Sequence, residues 1–190
     1  EVEPYTVHVC EPAPFDSTEI FDLTSYVDSM TEDLDPTEYT YTFYNSEADA
    51  IAADPSTDID NPETYPGTSE VVWVRVQSNE HSMAYGIGQL TLIVTPQPEV
   101  ADLADVEVCS AAGYVLPNLT VGSYYTGAGG TGTVLAAGTV VTESKTIHIY
   151  ASNGTAPYVC TDESSFNVTV YPTPVVADLV DVSACSGYEL

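Results

Sequence analysis

The sequence predicts an all-β chain of tandem antiparallel sandwich domains, and three observations carry that prediction. An internal repeat sets the domain length. Period-2 alternation of apolar residues marks half-buried strands. Short strands divided by Pro, Gly, Asn and Asp at intervals of about 8–12 residues fit sandwiches better than a parallel sheet with crossover helices.

The repeat fixes the architecture and is read first. Val100-Ala101-Asp102-Leu103-Ala104-Asp105-Val106-Glu107-Val108-Cys109 returns as Val176-Ala177-Asp178-Leu179-Val180-Asp181-Val182-Ser183-Ala184-Cys185. Each copy follows a strand and a Pro-x-Pro, Pro96-Gln97-Pro98 or Pro172-Thr173-Pro174. Proline cannot donate to a sheet ladder, so these prolines mark the end of a last strand and a stiff junction. The expected domains are 5–96 and 97–172, with 173–190 as the first strand of a further repeat. Junctions this short predict domains stacked end to end as a semi-rigid rod.

The two domains also align internally. Val71 to Val76 lies over Thr146 to Ala151, so Val72, Val74 and Val76 correspond to Ile147, Ile149 and Ala151. These six are expected to face the core, with Trp73, Arg75, His148 and Tyr150 outward. Tyr39 to Phe43 alternates in the same way and corresponds to the strand around Tyr124 and Tyr125. One helical turn or two is expected after Ser46, which can cap the run Glu47-Ala48-Asp49-Ala50-Ile51-Ala52.

Charge excludes several partners. Among 190 residues there are 29 acidic and 2 basic side chains, a net charge of −27. Neutralising a phosphate backbone or an anionic lipid surface requires Lys and Arg, so neither nucleic acid nor such a membrane surface is a partner. A hydrophobic content of 44% separates the chain from acidic disordered tails. No apolar run reaches membrane-spanning length, and no signal-peptide pattern opens the chain.

Cysteine usage points to an oxidising compartment. Four cysteines allow three pairings when all pair among themselves. The repeat register favours Cys109 with Cys160, both inside one domain, leaving Cys10 unpaired and Cys185 seeking a partner beyond Leu190. No C-x-x-C or Cys/His cluster has ligand spacing for a metal.

In order, the blocks Cys109-Ser110, Gly113-Tyr114-Val115-Leu116-Pro117, Gly122 to Gly132, Thr146 to Ala151 and Cys160 to Phe166 resemble a module of giant Bacteroidota cell-surface proteins. The first domain is similar to a sister module through Phe21-Asp22-Leu23-Thr24, Phe43-Tyr44-Asn45-Ser46, Asn61-Pro62 with Tyr65, and Val72 to Val76. Such modules form long tandem arrays in adhesins of the gliding-motility type exported by type IX secretion. The resemblance implies Ig-like folds, neighbouring repeats of the same chain as partners, and a place in a filament attached to the outer membrane. The missing second cysteine in the first domain departs from the pattern.

No motif assigns catalysis. Gly127-Ala128-Gly129-Gly130-Thr131-Gly132 satisfies G-x-G-x-x-G, but the short stretch after it cannot form the crossover helix that a pyrophosphate site needs, and a plain loop is expected. No G-x-S-x-G elbow or H-E-x-x-H helix is present, and the three histidines are far apart in sequence. The chain is therefore expected to be non-catalytic and to hold no cofactor.

Calcium has two candidate sites, since hard cations prefer several oxygens on a flexible loop. One is the loop carrying Asp58 and Asp60, and the other is the junction pairs Asp102 with Asp105 and Asp178 with Asp181. The competing reading is that these acids keep surfaces soluble and sheet edges apart. Asp16-Ser17-Thr18 and Asp28-Ser29-Met30 resemble Bacteroidota O-glycosylation acceptors, which makes Ser17 and Ser29 candidate glycan sites. Two function classes follow: structural and display repeats of an extracellular adhesin, or a carbohydrate-binding accessory module of a secreted polysaccharide-degrading enzyme. The second would need a planar cluster of exposed aromatics, for which Trp73, Tyr44 and Tyr150 are the candidates.

Overall fold

The computed structural model describes residues 2–31, 34–35, 37–81 and 83–176. The expected strand at 173–190 lies almost wholly outside them. The chain is all-β. Its first unit contains β1 (Tyr5–Glu11), β2 (Glu19–Phe21), β3 (Tyr39–Tyr44), β4 (Tyr65–Gly67), β5 (Glu70–Ser78) and β6 (Tyr85–Pro96). Two short helices, α1 (Val27–Met30) and α2 (Glu47–Ala52), lie between strands. A four-stranded sheet in the order β1-β6-β5-β3 accompanies a two-stranded sheet of β2 and β4.

The second unit repeats the plan with β7 (Val106–Cys109), β8 (Tyr114–Val115), β9 (Ser123–Gly127), β10 (Thr131–Leu135), β11 (Val140–Val141), β12 (Lys145–Thr155) and β13 (Tyr158–Tyr171). Five strands in the order β10-β9-β12-β13-β7 form its main sheet, and β8 with β11 form the small one. Most pairings are antiparallel, as expected. The exception is the first strand of each unit, which runs parallel to the last: β1 to β6 and β7 to β13.

Alternation places the core where the sequence predicts. Val72, Val74 and Val76 are buried with Val7, Phe21, Met30, Phe43, Leu90 and Leu92, whereas Ile147, Ile149 and Ala151 are buried with Leu116, Tyr124, Phe166 and Val168. Each fully buried aliphatic or aromatic side chain contributes roughly 1.5–3 kcal/mol, so two separate clusters of this size give each unit its own core. The aromatic centre of the second is edge-on, with the Tyr124 and Phe166 rings 6.4 Å apart and Tyr124 Oη donating to Pro117 O at 3.1 Å.

The outward face differs from expectation at Arg75, which is buried. Its guanidinium donates to Ala50 O at 2.9 Å and lies 3.6 Å from the centroid of the Tyr85 ring. A short helix ends with free carbonyls, and α2, capped at its start by Ser46 as predicted, delivers them over β5. Arginine satisfies them while its charge faces an aromatic ring. The corresponding place in the second unit has no helix. The glycine-rich segment there is the hairpin turn from β9 to β10, with Gly129 and Gly130 at positive φ, which is the plain loop predicted.

Candidate functional site: the junction between the two units

The hairpin of β12 and β13 runs in register from Lys145 opposite Val168 out to Thr155 opposite Tyr158. Its outer end, closed by Ala156-Pro157 with a cis peptide bond, reaches the edge of the first unit where β1 and β6 finish. Gly154 permits that approach. It has φ +97°, and a Cβ there would strike Tyr158 O and come 3.1 Å from Thr95 Cγ2.

Cys160 near the hairpin tip is bonded to Cys10 on β1, with Cα atoms 5.6 Å apart across a sequence separation of 150. This corrects the expected Cys109–Cys160 bond and the expected free Cys10. The parallel pairing of β7 with β13 sets Cys109 opposite Tyr171 at the far end of β13. Cys160 stands eleven residues earlier on that strand, about 35 Å away at the rise of a β-strand, whereas a disulfide needs Cα atoms within about 7 Å. Cys109 is exposed and is the free cysteine among the described residues.

The staple is surrounded by further contacts, some within the first unit and some across the junction. His8 Nε2 lies 3.1 Å from Thr95 Oγ1 and 3.5 Å from Cys160 Sγ, and the His8 ring lies 5.5 Å from that of Tyr158. Asn153 Nδ2 donates to Pro96 O at 3.0 Å and Gln97 Nε2 to Thr161 O at 3.3 Å. The linker is pinned to β13 as well: Val100 N donates to Asp162 Oδ2 at 2.8 Å and Ser164 Oγ to Ala101 O at 2.7 Å. These bonds immobilise the backbone that the Pro-x-Pro already restricts.

Next to Cys10, Glu11 is a buried carboxylate. It accepts from Asp16 N at 2.6 Å through Oε1 and from Ser17 N at 3.0 and 3.1 Å through its two oxygens. Ser17, a glycosylation candidate, has an exposed side chain and φ +65° in the turn so held. Ser29, the other candidate, is exposed on α1.

The calcium candidates are dispersed. Asp105 is an exposed acid bonded to the next strand, accepting from Asn167 N at 2.6 Å and Asn167 Nδ2 at 3.2 Å, and these donors hold its carboxyl below the ordinary range. Asp102 and Asp60 are exposed, and Asp58 forms an isolated bridge with Tyr44. Asp178 and Asp181, like Cys185, lie outside the described residues. Other acids close local turns, as Asp22 does for Thr24, Asp35 for Thr37 and Asp54 for Ser56. Asp35 and Asp54 are likewise held below the usual carboxylate range by those backbone N–H groups. These acids are accounted for by turn chemistry.

The aromatic candidates are split between the two units, and they are not all exposed. Tyr44 is buried and Trp73, its cross-strand partner, half-buried in the first unit, whereas Tyr150 in the second packs edge-on to Tyr125 at 6.1 Å. His148, expected as a surface residue, lies 3.0 Å from Glu163 through Nδ1.

Sequence reasoning missed His8, Cys10, Glu11 and Thr95. The signal available was that Cys10 has no partner in its own domain, which is the condition for a bond that leaves it.

With its two β-sheet units and separate cores, the chain is an all-β sandwich protein. Residues 6–98 match the family model described as the Flavobacterium inter-domain disulphide bond domain. The match spans the first unit, and the Cys10–Cys160 bond, with one sulfur inside it and one outside, is of the kind that description names. The match agrees with the resemblance to modules of Bacteroidota proteins. Among solved structures, the chain is similar to extracellular domains 3-5 of Drosophila OTK, at 9% identity and TM-score 0.38, over 70% of this chain and 52% of that one. It is also similar to mouse cadherin-23 EC22-24, at 12% identity and TM-score 0.29, over 90% and 63% respectively. A third likeness is to a SusE-like surface located polysaccharide binding protein of Bacteroides thetaiotaomicron, at 10% identity and TM-score 0.27, over 89% and 33%. The chain thus spans between a third and two thirds of the length of these three. No curated protein sequence matches it. A disulfide fits a secreted or surface protein, and among the described residues no helix is long and apolar enough to cross a membrane.

Proposed function

We propose that the chain is a non-catalytic structural and display segment of a large extracellular adhesin, whose units, at 5–96 and 97–172, stack as a semi-rigid stalk for surface attachment or gliding. The disulfide across the junction carries this reading. A bond from Cys10 to Cys160 is a covalent shortcut past nearly everything between, so tension applied at the two ends passes through the sulfurs instead of through both cores. An array that transmits force at a cell surface needs that property. A free-standing binding domain does not.

Single-molecule pulling between the chain ends tests it. The oxidised chain should never release the segment between the two cysteines. Cys10→Ser should release an added contour of about 500 Å, from 150 residues at the extended chain length per residue. Equal extensions for both chains would overturn the reading.

A further inference from the structure

His8, Cys10 and Cys160 place one imidazole nitrogen and two sulfurs all within 4.8 Å of one another. In the oxidised chain the sulfurs bond each other and neither is a thiolate. After reduction the same backbone would carry two thiols and an imidazole, with Cys160 buried and Cys10 and His8 half-buried. We propose that the reduced junction is a metal site for a thiophilic divalent cation such as Zn(II), with Cys10 Sγ, Cys160 Sγ and His8 Nε2 as ligands.

Three lines of chemistry support it. Two thiolates with one imidazole are a donor set that zinc accepts in tetrahedral geometry, leaving a fourth position for water. Zinc–sulfur bonds of about 2.3 Å set the two sulfurs about 3.8 Å apart, which χ1 rotation can supply between cysteines whose Cα atoms are already 5.6 Å apart. Nε2 is the ring nitrogen that faces Cys160 Sγ, at 3.5 Å, and its 3.1 Å contact with Thr95 Oγ1 is the one the cation would replace. The balance is simple. A phosphine or dithiol reductant supplies two electrons and the disulfide takes up two protons. The cation then displaces both thiol protons and forms two metal–sulfur bonds. The ion would hold the two units together before the covalent bond is made; a disulfide oxidant would then take two electrons from the thiolates, take up two protons to become a dithiol, and leave the Cys10–Cys160 bond formed and the cation released.

The probe is Co(II), titrated without oxygen into the phosphine-reduced full chain carrying Cys109→Ala, which removes the exposed thiol. One equivalent should bring up a thiolate-to-cobalt charge-transfer band and tetrahedral visible bands. Zn(II) should displace both, and the oxidised chain should show neither. His8→Gln should weaken cobalt binding at least about tenfold, a loss that even changes at residues hydrogen-bonded to a metal ligand reach. Far-ultraviolet circular dichroism of each reduced chain establishes that it is folded, and Cys160→Ser in the same background provides a second route to loss of the band. A folded reduced chain with no charge-transfer band would overturn the site. So would binding that His8→Gln leaves unchanged, since the cation would then be held by sulfur alone.

Discussion

Cys10 and Cys109 hold equivalent places in the two units, one bonded and one free. Cys10 pairs across β1 and β6 with Thr95, the residue before Pro96, and Cys109 pairs across β7 and β13 with Tyr171, the residue before Pro172. Each cysteine thus stands where its unit's last strand gives way to the next junction. At the first junction the facing hairpin supplies Cys160.

Peptide mapping of the non-reduced protein should find Cys10 linked to Cys160 and Cys109 alkylated in the folded state. Loss of either bonded cysteine should lower stability by up to roughly 5 kcal/mol, the chain-entropy value for a loop of this length. The double variant Cys10→Ser with Cys160→Ser should lie within a few tenths of a kcal/mol of the singles in urea unfolding. A double variant much less stable than either single would show that the sulfurs act through separate contacts.

Glu11→Ala removes the charged acceptor of the Asp16 and Ser17 N–H groups, and hydrogen bonds to a charged group contribute about 1.5–3 kcal/mol. Glu11→Gln keeps one acceptor oxygen and should cost less. Urea midpoints of the three chains measure the order.

Gly154→Ala should destabilise by more than about 1 kcal/mol, because a Cβ there meets both a left-handed φ and a carbonyl. A second effect separates this from ordinary strain. Since the displaced hairpin tip carries Cys160, air oxidation of the reduced variant should give less Cys10–Cys160 bond than the parent, as read by alkylation.

Asp105 has its carboxyl lowered from 3.8 by the Asn167 backbone and side-chain donors. A depressed folded value stabilises above the unfolded value and is lost as pH falls through the folded one. The stabilisation should therefore be complete above about pH 4 and disappear in stronger acid. Carboxyl NMR titration should show Asp105 ionising below the solvated acids and moving back up in Asn167→Ala, though the backbone donor keeps part of the shift.

Tyr65 is pushed up to about 12 by burial, with the neighbouring Glu70 charge adding to it. The sign is opposite here: its contribution is full below the ordinary tyrosine range and is lost as pH rises through the folded value. Difference titration of tyrosinate absorbance between the parent and Tyr65→Phe should show this phenol ionising late. Ionisation with the bulk of the tyrosines would sink the assignment.

Alternation in the sequence was enough to mark the long strands and the faces they turn to the core. Alternation is a local property of a pleated chain, so Val72, Val74 and Val76 declare their face without reference to any neighbour. The cap at Ser46 is local in the same sense, since its acceptor and the Asp49 N–H lie three residues apart. Which distant residues meet is settled only when whole sheets pack. Arg75 reads as outward from alternation and is buried because α2 folds across it. Cys160 reads as a partner for Cys109 because both lie in one repeat, yet strand direction separates them by the length of β13 and brings Cys10, 150 residues away in sequence, to the hairpin tip instead. Pairing direction and the reach of a hairpin arise from the packing of whole sheets, and periodicity within one strand contains neither.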